Sequence, residues 1–216
     1  MIWNSQNSIF KQRICILILL IGWVGVFKAE SGNPPTSSTN AETANYQEYI
    51  VAHYKQAIVL QKKYKIPASI ILAQAVLESE AGQSFLALAG NNHFGLKCAD
   101  WQGLRISKND EGKNDCFRKY LSVSDSFEDH SRFLSERNYY KPLFRLKITD
   151  YKAWARGLKQ CGYATDPQYE TKLIQIIETY KLNYYDTANE NAPPVTLRPA
   201  TVSNTSNTRT TPTTKK

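Results

Sequence analysis

The sequence predicts an α+β fold in which helices dominate and one small β-hairpin is inserted. Apolar residues recur at helical spacing through most of the stretch from Tyr46 to Asp186. That period fails between Asn91 and Tyr120, where Gly95, Gly103 and Gly112 accompany short alternating runs at Leu104–Ile106 and Cys116–Tyr120. Helices with one hairpin among them make an α+β domain.

The elements follow in order. Tyr49, Ile50, His53, Ala57, Leu60 and Tyr64 share a face and predict a first helix over Tyr46–Tyr64. Pro67 opens a second, because the first turn has no use for the N–H that proline lacks. This helix, Ala68–Ala81, is apolar almost all round and therefore belongs in the middle of the domain; Gly82 ends it. After the glycine-punctuated insertion, helical patterns return at Ser126–Arg137, Asp150–Cys161 and Pro167–Tyr180.

The ends are different in kind. Ile14 to Phe27 is an uncharged apolar run preceded by Lys11 and Arg13, which suits a secretory signal and is short for a full membrane span. Residues 1–29 are read as a cleaved signal peptide or an N-terminal membrane anchor, and either one exports the rest to the periplasm, cell envelope or medium. Residues 30–45 and 187–216 are rich in Thr, Asn, Pro and Ser and are read as a disordered linker and tail, leaving 46–186 as the folded domain. Lys and Arg outnumber Asp and Glu by 27 to 19, a net +8 that favours polyanions without choosing among them. Export makes nucleic acid an improbable partner. Outside the cytoplasm cysteines can pair, and Cys98 and Cys116 bracket a polar stretch that a disulfide would staple; three free thiols are the alternative. Cys161 reads as a small buried side chain.

The central helix carries an anomaly: polar Gln74, Glu78 and Glu80 in or near an apolar stretch. Gln74 and Glu78, four residues apart, share a face. A carboxyl desolvated at the end of a buried helix has a raised pKa and stays protonated near neutrality, as a general acid for glycosidic cleavage must. Position alone also fits two solvated end caps.

The longer string decides between these. IPASIILAQAVLESEAGQS followed by NNHFGLK resembles the glucosaminidase family of peptidoglycan hydrolases, the lysozyme-like group of flagellar wall-digesting enzymes and autolysins. The resemblance continues through Trp101-Gln102-Gly103, CFRKY and GLKQCGYATDPQYETKLIQII, and so spans the whole domain; the cysteine pair is similar to the version common in Bacteroidota. It implies a lysozyme-like fold with Glu78 as catalytic acid and Tyr163 as a catalytic-site tyrosine. It also makes Gln74, Asn92 and Phe94 candidates to line the substrate cleft, and Trp101 and Tyr169 candidates to stack on sugar rings. A second carboxylate is expected in the hairpin segment ISKNDEGKND: Glu111 matches by residue type, Asp110 by acidic clustering, and Asp115 is a third acid. Substrate-assisted attack by an N-acetyl group would dispense with it.

His53, His93 and His130 are scattered, no HExxH occurs, and there is no glycine-rich phosphate loop, so neither a metal nor another cofactor is implied. The reading is a monomeric endo-β-N-acetylglucosaminidase acting on peptidoglycan glycan strands at the β-1,4 bond between N-acetylglucosamine and N-acetylmuramic acid. A muramidase or lytic transglycosylase of the same fold, and a wall-binding module without catalysis, are the alternatives.

Overall fold

The all-apolar helix sits where its composition requires. In the computed structural model, which describes residues 37–110 and 113–195, α2 (Ala68–Ser79) is buried at every residue from Ala68 through Val76. It is preceded by α1 (Ser37–Tyr64) and packed against it. The apolar row Ile50, Tyr54, Ala57 and Ile58 of α1 lies against this centre. Downstream come α3 (Phe85–Gly90), the hairpin β1 (Arg105–Asp110) and β2 (Lys113–Arg118), then α4 (Val123–Glu136), α5 (Tyr151–Gln160) and α6 (Tyr169–Thr179). α6 contributes Tyr169, Leu173 and Ile177 at successive turns, α5 contributes Trp154 and Leu158, and α4 contributes Phe127 and Leu134.

Side chains mark the starts of the later helices. Ser122 and Asp125 form a reciprocal capping box on α4, and Asp150 accepts from the Ala153 amide to open α5. α2 receives its cap from far along the chain: Asp186 accepts from the amide and hydroxyl of Ser69, both at 2.8 Å. The end of α2 is unusual. Glu80, Ala81 and Gly82 all have positive φ (52°, 52° and 84°), so the chain turns sharply just past Glu78. Ser79 holds that turn, accepting from the Gly82 amide and donating to the Ala75 carbonyl.

The hairpin pairs in simple antiparallel register from Arg105↔Arg118 to Asp110↔Lys113, nearer its tip than the apolar residues predict. Its strands read RISKND and KNDCFR, so backbone pairing rather than apolar burial holds most of it, and hydropathy gives little signal for that. At its base Cys98 is bonded to Cys116, as one of the two sequence readings expects. The Arg118 amide donates to the Leu96 carbonyl and the Arg118 guanidinium pairs with Asp129 of α4 at 2.7 Å.

Two expectations change. α1 begins at Ser37, inside the stretch read as linker, because Ala41, Glu42 and Ala44 are compatible with continuing a helix started further on. The segment after Asp186 is not wholly free either. As far as Val195 it lies on α1, with Tyr54 donating to the Ala192 carbonyl, Gln47 to the Val195 carbonyl and Lys62 paired with Glu190. Its backbone carbonyls accept from α1 side chains, and Ala188 and Val195 pack against the core of the domain. Residues 1–29 and 196–216 lie outside the described residues, and among those described no helix is long and apolar enough to cross a membrane.

Candidate active site

Glu78 stands on the last turn of α2 at the floor of a cleft of about 590 Å³. Phe94, Gly95, Leu96 and Lys97 form one wall; Phe133, Tyr139 and Tyr140 form another; Cys161, Gly162 and Tyr163 form the third. Glu78 is the one carboxylate among the described residues lining it. Burial pushes its carboxyl up to about 6, partly offset by the hydroxyl of Tyr169, which donates to Oε1 at 2.8 Å. Tyr169 in turn accepts from Gln74 Nε2 at 2.9 Å. The i,i+4 pair Gln74 and Glu78 is thus bridged by one phenol from α6, which restrains the carboxyl and marks Oε2 as the oxygen left for other work.

That bridge corrects two expectations. Gln74 is 0% and Tyr169 2% exposed, so neither is placed to touch a sugar; both sit behind Glu78. Asn92 is likewise wholly buried. Its Nδ2 donates to the carbonyls of Leu96 and Arg118, and its Oδ1 accepts from the Leu96 amide, so it shapes the loop that carries the cleft wall. Trp101 does not line this cleft. Its indole N–H donates to the Leu104 carbonyl and its ring lies under the Arg118 guanidinium at 5.1 Å.

Phe94 and Tyr163 do come together with Glu78. Phe94 is stacked on the buried His130 ring at 3.8 Å, which fixes the tilt of the wall. The Tyr163 ring stacks on Tyr169 at 5.6 Å, and its hydroxyl has no partner among the described residues. Burial, and next the negative charge of Glu78, hold that phenol well above its usual range, so it stays neutral. Burial also lowers His130 to about 3 and His93 to about 4, keeping both imidazoles neutral.

Of the hairpin acids, Glu111 lies outside the described residues, as does the side chain of Asp110. Asp115 is paired with Lys97 at 2.6 Å, at the rim of the cleft. Tyr139, Tyr140 and Cys161 also line the cleft, although the sequence reading left the tyrosines unassigned and took Cys161 as core. The two tyrosines lie on a 3-10 segment, Asn138–Arg145, whose short period interrupts the helical pattern.

A family model described as mannosyl-glycoprotein endo-beta-N-acetylglucosaminidase, the Glucosaminidase family, matches residues 54–182. The chain belongs to the glucosaminidase family. Exo-glucosaminidase LytG of Bacillus subtilis is 34% identical over 174 residues, covering 74% of this chain and 61% of that protein. A probable N-acetylmuramidase of Lactococcus lactis is 32% identical over 73% of this chain and 38% of its own length. The crystal structure of a peptidoglycan hydrolase from Sphingomonas sp. A1 superposes with a TM-score of 0.58 at 28% identity, covering 70% of this chain and 99% of that one. The chain therefore spans about three fifths of the length of LytG and less of the Lactococcus relative. The mostly helical, lysozyme-like fold and glycoside-hydrolase class expected of this glucosaminidase domain agree with these neighbours.

Proposed function

We propose that this protein hydrolyses peptidoglycan at the β-1,4 bond on the reducing side of N-acetylglucosamine, with Glu78 as general acid. The observation that carries the reading is the one carboxyl that lines an aromatic cleft among the described residues, raised to about 6 by burial. At pH 7 about a tenth of such a group is protonated, enough to deliver a proton while its conjugate base can later take one back. Tyr169 occupies Oε1, so Oε2 carries the proton toward the glycosidic oxygen. The neutral Tyr163 hydroxyl, buried without a partner among the described residues, would orient the acetamido group or stabilise the oxocarbenium-like transition state where its ring lines the same cleft. A hairpin acid can serve as base for a water, or the substrate's own acetamido oxygen can attack. Export to the cell envelope completes the reading and places the enzyme with its substrate.

A second reading, cleavage after N-acetylmuramic acid by the same acid, is favoured by the resemblance to a probable N-acetylmuramidase. Both are tested by muropeptide mass spectrometry on purified walls treated with the full chain or with Glu78→Gln. The expected fragments end in reducing N-acetylglucosamine, and the variant is slowed by about 100- to 10,000-fold while melting cooperatively. Ends of N-acetylmuramic acid, or of its anhydro form, would transfer the assignment to the second reading. Binding to walls without release of fragments would leave a wall-binding module.

A further inference from the structure

Phe133 lines two grooves. One is the Glu78 cleft; the other, of about 480 Å³, is walled by Asp100, Trp101, Arg118, Arg132, Glu136 and Arg137. The two differ sharply in chemistry. Apart from Glu78 and Lys97 the first is aromatic and neutral, as an uncharged sugar chain requires. The second is lined by three guanidinium groups and three carboxylates, those of Asp100, Asp129 and Glu136.

Their placement separates a structural part from an available part. Arg118 is 5% exposed and lies over the Trp101 and Phe133 rings at 5.1 and 5.7 Å, with Nε donating to the Lys97 carbonyl and a terminal nitrogen to Asp129. Asp129 also accepts from Tyr120 and Arg132, so its charge is fully used in fastening β2 to α4. Arg132 and Arg137 are the outer pair, with side chains 46% and 35% exposed. Arg137 is held on Asp100 at 2.9 Å and lies over the Phe133 ring at 5.2 Å, which orients its fork and leaves further N–H groups for a ligand. Glu136, exposed on the same rim, makes no hydrogen bond or salt bridge among the described residues. Oriented guanidinium forks on aromatic shelves suit carboxylates and flat amides, and the exposed carboxylate of Glu136, close enough to Arg132 to feel its charge, suits an ammonium.

We propose that the groove sharing Phe133 with the Glu78 cleft binds the charged peptide branch of the amino sugar next to the scissile bond. This rests on the wall-glycan reading above. Peptidoglycan peptides carry carboxylates and, where a diamino acid is present, an ammonium, which is the mixture of charges this groove answers. The glycan lies along Glu78 and Tyr163, and its branch crosses Phe133 to Arg132, Arg137 and Glu136.

The test is a calorimetric titration of the full chain carrying Glu78→Gln, which binds without turnover. Two probes are compared: a GlcNAc–MurNAc tetrasaccharide with its peptides, and the same tetrasaccharide stripped of them. The peptides should tighten binding by about tenfold or more, as one retained charge-assisted contact implies. Adding Arg132→Ala and Arg137→Ala should bring the two affinities together. Glu136→Gln, an exposed change that spares the fold, should weaken only the probe whose diamino acid keeps a free amine, and not its N-acetylated form. Equal affinity of the parent for both probes, or a peptide preference that survives all three substitutions, would overturn the peptide groove alone. Failure to bind either probe would remove the glycan reading along with it.

Discussion

Glu78 owes its character to its burial and to a side chain that its own helix does not reveal. Its i,i+4 relation to Gln74 is plain in the sequence, yet the phenol that joins them arrives from Tyr169 in α6. Spacing along a chain reports neighbours on one helix and is silent about a contact made across the core. For the same reason Asn92 reads as a cleft residue when it is the organiser of the Leu96 loop. A consequence can be measured at Tyr169→Phe. The hydroxyl donates to Glu78 and favours its charged form, so removing it raises the carboxyl pKa above its present value of about 6. The alkaline limb of the kcat/KM profile should therefore move to higher pH, by about one unit for one hydrogen bond. kcat should fall as well, because the carboxyl gains freedom and Gln74 is left with an unpaired buried amide. A purely structural role for Tyr169 would lower the rate and leave the limb where it is.

Among the elements, the turn after α2 decides how Glu78 meets the cleft. Two non-glycine residues in left-handed conformation, Glu80 and Ala81, precede Gly82, and Ser79 ties the loop back to the helix. Gly82 has reasons to be glycine beyond punctuation: φ is +84°, and an added Cβ would stand 3.2 Å from the Tyr49 ring and 3.5 Å from His93. Gly82→Ala should thus cost about 1–2 kcal/mol from backbone strain alone, visible as a lowered urea midpoint with unchanged m. An unchanged midpoint would mean that the turn relaxes freely and has no part in holding Glu78. Elements of this kind show how far the sequence can be read. α2, α4, α5 and α6 were legible because long apolar periods and caps such as Asp150 announce them. α3 has six residues and the Asn138–Arg145 segment is 3-10, so neither gives enough turns for a helical period to stand out. The second of these carries Tyr139 and Tyr140, and part of the cleft was missed with it.

Across the whole molecule, one core holds buried titratable groups of opposite sign. Glu78 and Asp186 are both pushed up to about 6 by burial, while His93 and His130 are pushed down to about 4 and about 3. Carboxyls with raised pKa stabilise the fold below their unfolded values, and that contribution is lost as pH rises through about 6. Histidines with lowered pKa do the reverse: their contribution is complete above about 6.5 and is lost as pH falls toward their folded values. Between about pH 4.5 and 6 the two slopes oppose each other, with His53, lowered in the same direction, adding to the histidine side. The carboxylates lowered by partners, such as Asp129 and Glu128, titrate below this window. Stability should accordingly vary little across it. Asp186→Asn breaks the balance at a residue that caps α2 far from any substrate. An asparagine oxygen can still accept from the Ser69 amide, but the side chain no longer ionises in the core. Relative to the parent, this variant should gain about 1–2 kcal/mol as pH rises from 4 to 6.5, and urea denaturation at half-unit steps would measure it. A difference independent of pH would show that Asp186 is ionised throughout, held so by Ser69 and the N-terminus of α2 despite its burial.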